Sequence, residues 1–157
     1  MSSNRTNIRG RQLPLVPTDG GQNAGDPCLV GQLAGVSMNG RQLLPGSPGG
    51  TPSDTSPQTI DTLGVYNLYV KGANAGGNVA VTAGDLIYYK TGVISSGTPY
   101  DSTHTPLSKD ATGVLFGIAL GPKNAPAGVG QFSGYAGGTV VASGATTAID
   151  VRLGGVS

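Results

Sequence analysis

The side chains able to perform acid–base or nucleophilic chemistry are few in this chain. It has one cysteine, one histidine and eight acidic residues, all of them aspartate. A nucleophilic site needs a nucleophile, a base and a group that orients the base. Cys28 lies in an apolar run, which predicts a buried, inert thiol, and His104 lies in a Ser/Thr/Pro-rich stretch, which predicts a solvated loop residue. We therefore expect no catalytic residue and no enzyme activity, with a small hydrolase as a distant alternative.

Metal chemistry is also poorly supported, because a single cysteine excludes both an intramolecular disulfide and a cysteine metal cluster. Asp26 and Asp85 end two copies of the tripeptide Ala-Gly-Asp, and two such carboxylates could share a calcium ion. Turn formation explains both copies without an ion. Gly25 and Gly84 supply the positive φ of a tight turn, and each Asp side chain can bond its own backbone just downstream. We predict two structural turns, each starting a strand, and no metal or cofactor.

Phosphate chemistry lacks its usual signature. The P-loop pattern Gly-x-x-x-x-Gly-Lys-Ser/Thr is absent, and neither Lys71 nor Lys90 has the required upstream glycines. The arginines Arg5, Arg9 and Arg11 could contact nucleic-acid phosphates, but the whole chain has a net charge of only +1. We predict no nucleic-acid partner.

The three arginines belong to a polar leading segment, residues 1–23. Its prolines exclude a helix and favour an extended arm or an edge strand. The segment also carries apolar side chains able to enter grooves on a protein partner. The candidate partner-binding residues are Arg5, Ile8, Arg9, Arg11, Leu13 and Leu15. We recognise neither a leader peptide nor an apolar stretch long enough for a membrane span, so we expect no membrane partner.

The remaining residues, 24–157, have the composition of a thin all-β domain. Glycine (28 residues) and proline (11 residues) provide many turns, glutamate is absent, and Val and Thr are plentiful. Leu, Val, Ile and Phe make up about 22% of the chain, just above the level typical of disorder. We predict one small antiparallel β-sandwich or β-barrel. Its small core would gain stability by burying surface against copies of itself or a larger lattice.

Hydrophobic periodicity predicts short strands separated by glycine turns. Leu68 and Val70 should share one strand face with Tyr66, and Asp150 and Arg152 should point away from the core. Gly117 indicates a bulge or a close backbone approach. The strands are expected at 28–36 (a hairpin turning at Gly31), 60–71, 86–90, 113–120 and 148–153, and long loops at 38–57, 95–106 and 121–138.

Five blocks of the chain, in this order, resemble a family of small tailed-phage proteins: residues 24–36, 59–68, 83–85, 107–114 and 149–153. That family is the capsid decoration or cement family, long catalogued as a domain of unknown function and sometimes labelled recombinase-like. The resemblance implies a major capsid protein as partner and a homo-oligomer, with a trimer favoured. It also implies a location on the capsid surface of the virion, after synthesis in the bacterial cytoplasm. Because the P-loop is absent, the recombinase label is rejected.

We therefore expect a virion structural protein that binds the outside of an icosahedral phage head. It would stabilise contacts between major capsid protein subunits. The alternative is a β-rich binding or adhesion module displayed on a virion or cell surface, which would use the loops rather than the leading segment. Deleting residues 1–23 separates the two, because only the decoration protein would lose its binding.

Overall fold

A computed structural model describes residues 12–40, 57–95, 98–122 and 138–154. These residues form strands and turns, and no helix able to cross a bilayer is found among them. The strands are β1 (Gln12–Leu15), β2 (Asp19–Gly20), β3 (Pro27–Val30), β4 (Leu33–Ser37), β5 (Gln58–Asp61), β6 (Gly64–Lys71), β7 (Ala73–Asn74), β8 (Gly77–Asn78), β9 (Val81–Thr82), β10 (Leu86–Tyr89), β11 (Leu107–Ser108), β12 (Val114–Pro122), β13 (Thr139–Val141) and β14 (Thr146–Leu153).

The strands form two joined units, and the all-β prediction is confirmed. A first sheet has the strand order β1-β5-β4-β3-β2, and a closed barrel is formed by β10-β11-β6-β14-β12. The barrel is mixed, because β11 runs parallel to β6, whereas the other strand pairs of the barrel are antiparallel. Two short ribbons, β9 with β13 and β7 with β8, flank it.

The first sheet is strongly curled. Its two edge strands, β1 and β2, are joined by only three residues. In a flat five-stranded sheet these edges would lie about 19 Å apart, at about 4.8 Å per strand spacing. The four Cα–Cα steps from Leu15 to Asp19 can span at most about 14 Å. The sheet therefore bends until its edges approach each other, and residues 12–20, which the sequence analysis placed in the arm, supply both edges.

The predicted strand at 60–71 is wrong as a single element. It is divided at Thr62 and Leu63 into β5, which belongs to the first sheet, and β6, which belongs to the barrel. The Leu63 N–H donates to the Asp61 carboxylate at 3.1 Å, and Gly64, with φ 123°, completes the turn. Beyond this break the predicted alternation is confirmed, because Leu68 and Val70 are buried.

The hairpin predicted at 28–36 is confirmed, with β3 and β4 paired on either side of the turn at Gly31. The close approach predicted at Gly117 is also confirmed. A Cβ there would lie 2.3 Å from the Arg152 carbonyl oxygen on β14. Strand β12 continues to Pro122, two residues into the predicted loop at 121–138. Residues 41–56 and 123–137 of the predicted loops lie outside the described ranges.

One hydrophobic core runs through both units. Leu29 and Val36 from the first sheet belong to the same buried cluster as Leu68, Ile87 and other barrel residues. Cys28 is buried, as predicted, with its Sγ 3.5 Å from the Gly35 carbonyl oxygen. The two units are therefore held together by shared apolar burial.

Tyr89 connects the units through a polar contact as well. Its ring is fully buried and stacks on Phe116 with centroids 6.0 Å apart. Its hydroxyl donates to Asp19 Oδ1 at 2.6 Å, and the Gly92 N–H donates to Asp19 Oδ2 at 2.8 Å. Burial, and then the hydrogen bond to the Asp19 carboxylate, raises the pKa of Tyr89 far above its ordinary value. The phenol therefore remains a neutral donor that ties β2 to the barrel.

Candidate functional site

The leading segment enters the first sheet as an edge strand. Leu13 and Leu15 lie on β1, half-buried, opposite Ile60 and Gln58 of β5. Pro14 between them has no N–H to offer, as expected of an edge strand. The other candidate partner-binding residues, Arg5, Ile8, Arg9 and Arg11, lie outside the described residues. The structure therefore places two of the six candidates on one edge of the body.

The two Ala-Gly-Asp copies form the same type II turn. Gly25 has φ 92° and Gly84 has φ 94°, at the turn position where such values are required. The Asp26 N–H donates to the Asn23 carbonyl at 3.2 Å, and the Asp85 N–H to the Thr82 carbonyl at 3.1 Å. Strands β3 and β10 begin at the next residues.

The aspartate side chains of these turns bond upstream, so the expected downstream bond is wrong in direction. The Asn23 N–H donates to Asp26 Oδ2 at 2.8 Å, and the Thr82 N–H donates to Asp85 Oδ2 at 2.7 Å. Each carboxylate thus closes its turn against the residue that opens it. Nothing in these contacts requires an ion, and no group of three His, Cys or Asp side chains placed to hold a metal occurs among the described residues.

The two turn carboxylates differ in electrostatic setting. Asp26 is only 6% exposed, and burial raises its pKa, with hydrogen bonds from Asn23 offsetting part of the effect. Burial also acts to raise the pKa of Asp85. There, however, Lys109 Nζ lies 2.7 Å from Oδ2, and the hydrogen bonds from Lys109 and Thr82 bring the pKa below its usual value. The same turn therefore carries a penalised charge in one copy and a stabilised charge in the other.

Asp26→Asn and Asp85→Asn should consequently respond to pH in opposite ways. Because the pKa of Asp26 is raised in the folded state, the free energy of unfolding of the intact protein falls as the pH rises from 3.8 through that pKa. The Asp26→Asn variant does not lose this stability. Its free energy of unfolding, relative to that of the intact protein, should therefore increase toward pH 7 by up to about 1 kcal/mol. A lowered pKa means that stability present above 3.8 is lost at lower pH. Asp85→Asn should therefore cost about 1 kcal/mol at pH 7 and less below 3.8. Urea unfolding of both variants from pH 3 to pH 7 measures this, and parallel pH profiles would contradict it.

The loop at 98–106 is held by short polar contacts. The hydroxyl and N–H of Thr103 and the N–H of His104 donate to Asp101 Oδ1, which holds the pKa of Asp101 well below its usual range. The His104 side chain is 51% exposed, so the predicted solvated loop position is confirmed. Tyr100 anchors the loop by accepting the Tyr69 N–H at 2.5 Å.

A polar cleft of about 310 Å³ lies beside this loop, at the end of the barrel where β6 ends. Lys71, Lys90 and Asp110 line it together with the loop threonines. Lys90 Nζ is paired with Asp110 Oδ2 at 3.1 Å. The hydroxyls of Thr103 and Thr105 already donate to Asp101 and to a backbone carbonyl. The cleft therefore offers a bound anion little beyond the Lys71 ammonium group.

Four side chains form a row across the outside of the barrel, which we call the outer row: Val65, Arg152, Ile118 and Leu86. They lie on the neighbouring strands β6, β14, β12 and β10, and each is the register partner of the next. Directly opposed residues share one face of a sheet. Val65 is 53% exposed and Leu86 38%, whereas Val151, beside Arg152, is buried. The outer row is thus an apolar band with one cation in it.

The outer row was not predicted, although the amino-acid sequence contains a signal for it. The outward direction of Arg152 was predicted from the apolar residues on either side of it. Val65 falls on the same strand face as Asn67, where alternation favours a polar residue. An apolar residue at an outward position was therefore visible, but its neighbours on three other strands were not.

Comparisons with known proteins identify no relative. No family model matches the chain, no curated protein matches it, and no solved structure matches its fold.

Proposed function

We propose that this chain is a capsid decoration or cement protein of a tailed phage. It binds the outside of the icosahedral head and stabilises contacts between major capsid protein subunits. We further propose that it acts as a homo-oligomer, with a trimer favoured. The proposal rests on the ordered resemblance of its sequence blocks and on the placement of the leading segment.

The observation that carries the proposal is the attachment of that segment to the body. Strand β1 begins at Gln12, directly after the basic residues, and is paired along its length with β5. Leu13 and Leu15 are half-buried there. A partner that binds residues 1–11 is therefore coupled to the folded body by a strand ladder rather than by a loose tether.

The mechanism is one of linkage. A protein that binds the assembled lattice and not the free subunits lowers the free energy of the lattice by mass action. A small body can do this when one part of it contacts one subunit and another part contacts the neighbour. The leading segment supplies one such contact, and the body must supply a second.

Removing residues 2–11 should lower the affinity for phage heads stripped of this protein by about tenfold or more. These residues provide one of the two proposed contacts with the capsid. The variant keeps the whole first sheet, unlike a deletion of residues 1–23, which would also remove β1 and β2. Co-sedimentation of heads with increasing amounts of protein measures the affinity, and circular dichroism checks that the body is folded. A milder variant, with Arg5, Arg9 and Arg11 replaced by glutamine, should weaken binding in a salt-dependent way.

Unchanged binding by a folded variant lacking residues 2–11 would contradict the arm-based mechanism and favour the adhesion alternative. Failure of the intact protein to sediment with stripped heads would end the decoration proposal.

A further inference from the structure

We propose that the outer row, with Leu63 beside it, is the surface through which the body makes its second contact with the capsid shell of the phage head. Its complement on the capsid is a carboxylate flanked by apolar side chains. This inference deepens the proposed function and rests on it, because it names the surface of the body that meets the partner.

Exposed apolar surface is concentrated at this place. Six large apolar side chains are exposed among the described residues. Two of them lie in the outer row, Val65 at 53% and Leu86 at 38%, and a third, Leu63 at 49%, lies beside it. The Leu63 side chain reaches the end of β14, where its Cδ2 would lie 3.1 Å from a Cβ at Gly154. Exposed apolar side chains gathered on one face are typical of an interaction site.

The outer row is also built on regularly paired strands. The pairing of β10 with β12 shifts register between Ile87 and Tyr88, and that of β12 with β14 shifts between Ala119 and Gly121. Both irregularities fall outside the pairs that build the outer row. A partner docking on it pays no cost for ordering a loop, which leaves more of the contact energy for affinity.

The positive charge of Arg152 indicates the chemistry of the partner surface. Arg152 is exposed, and its side chain makes no ion pair with any described residue. It lies between Val65 and Ile118, so a partner covering this apolar band would also cover the guanidinium group. A covered guanidinium group needs an opposite charge, and a carboxylate matches its fork of donors. The surface therefore selects an apolar protein patch with an acidic residue at its centre.

A second copy of this chain fits the surface less well. The carboxylate on the same face of β14 is Asp150, which lies two residues before Arg152 and accepts the Asn67 amide at 3.1 Å. Asn67 is paired with Asp150 as Val65 is paired with Arg152. A two-fold contact that set Arg152 on the Asp150 of a second copy would also set Val65 on Asn67. The apolar residue would then cover an amide, which disfavours a two-fold contact between copies. We assign the surface to the shell, and the oligomeric state of the outer-row variants tests a contact between copies of any other symmetry.

The test uses two substitutions in the outer row and two matched controls. Leu86→Asp and Arg152→Glu should each weaken binding to stripped heads by about tenfold or more, as for residues at the centre of an interface. Leu33→Asp changes a residue of nearly equal exposure, 40%, on the first sheet. Lys71→Glu makes the same charge change as Arg152→Glu at the far end of β6. Both controls should bind within about twofold of the intact protein, since rim or distant charges have small effects.

Weakened binding by the two outer-row variants, with folded bodies and normal controls, supports the inference. Normal binding by Leu86→Asp and Arg152→Glu, alongside weakened binding by the protein lacking residues 2–11, overturns it while leaving the decoration function in place. A change of oligomeric state in the outer-row variants, measured by sedimentation velocity, also overturns it, because the occupant would then be a second copy. If the intact protein does not bind heads at all, both the function and the inference fail.

Discussion

Replacing Tyr89 with alanine is expected to lower the free energy of unfolding by about 4 kcal/mol, a loss typical of truncating a fully buried aromatic side chain. The ring lies between the two units and stacks on Phe116. Its loss leaves a cavity in the shared core and removes the donor to Asp19. Urea denaturation followed by circular dichroism measures the change.

Two further variants separate the ring from its hydroxyl. Tyr89→Phe keeps the packing and removes one hydrogen bond to a carboxylate, so it should cost about 1 to 2 kcal/mol. Tyr88→Ala truncates the neighbouring, half-buried tyrosine of β10 and should cost clearly less than Tyr89→Ala. Equal losses for the alanine variants at 88 and 89 would contradict the role of Tyr89 as the link between the units.

Replacing Gly117 with alanine is expected to destabilise the barrel by about 3 kcal/mol. The added Cβ would lie 2.3 Å from the Arg152 carbonyl oxygen and 3.0 Å from Val151 Cγ1. The oxygen belongs to the backbone of a strand in the closed barrel, so it cannot yield without disturbing the pairing of β12 with β14. The backbone of Gly117 is not in the left-handed region, so the cost comes from contact alone.

Gly84→Ala is the matched control for this prediction. No atom lies within 4 Å of the position where its Cβ would be placed, but Gly84 has φ 94°. Its cost should come from backbone conformation, about 1 to 2 kcal/mol. Thermal unfolding of the two variants under one condition compares them, and a smaller loss for Gly117→Ala than for Gly84→Ala would show that the barrel can open at this point.

Short sequence patterns correctly predicted those features of the fold that depend only on residues close together in the chain. The Ala-Gly-Asp turns, the hairpin at Gly31 and the buried positions of β6 follow from turn chemistry and from alternation along a strand. The break at Thr62 was not predicted, although Gly64 follows it with φ 123°, because its cause is the transfer of the chain from the first sheet to the barrel. The opposite pKa shifts of Asp26 and Asp85 depend on Lys109, which tertiary structure brings to one turn only.

The two candidate sites also differ in how well the sequence predicted them. The basic leading segment was visible as composition, whereas the outer row depends on the register of four strands that lie far apart in the chain. The contact between Tyr89 and Asp19 joins residues 70 positions apart. Only a pairing scheme reveals such neighbours, and periodicity within one segment carries no information about register.

The closed barrel and the curled first sheet also bear on how copies behave when crowded. The barrel is closed, with β11 joined to β6 through the pair Ser108 and Lys71, and the open edges of the first sheet are a proline-bearing strand of four residues and a strand of two. Long, flat edges are the templates on which chains add to one another and aggregate. Among the described residues the first sheet presents none, so many copies concentrated side by side can stay separate molecules instead of growing into fibres through it.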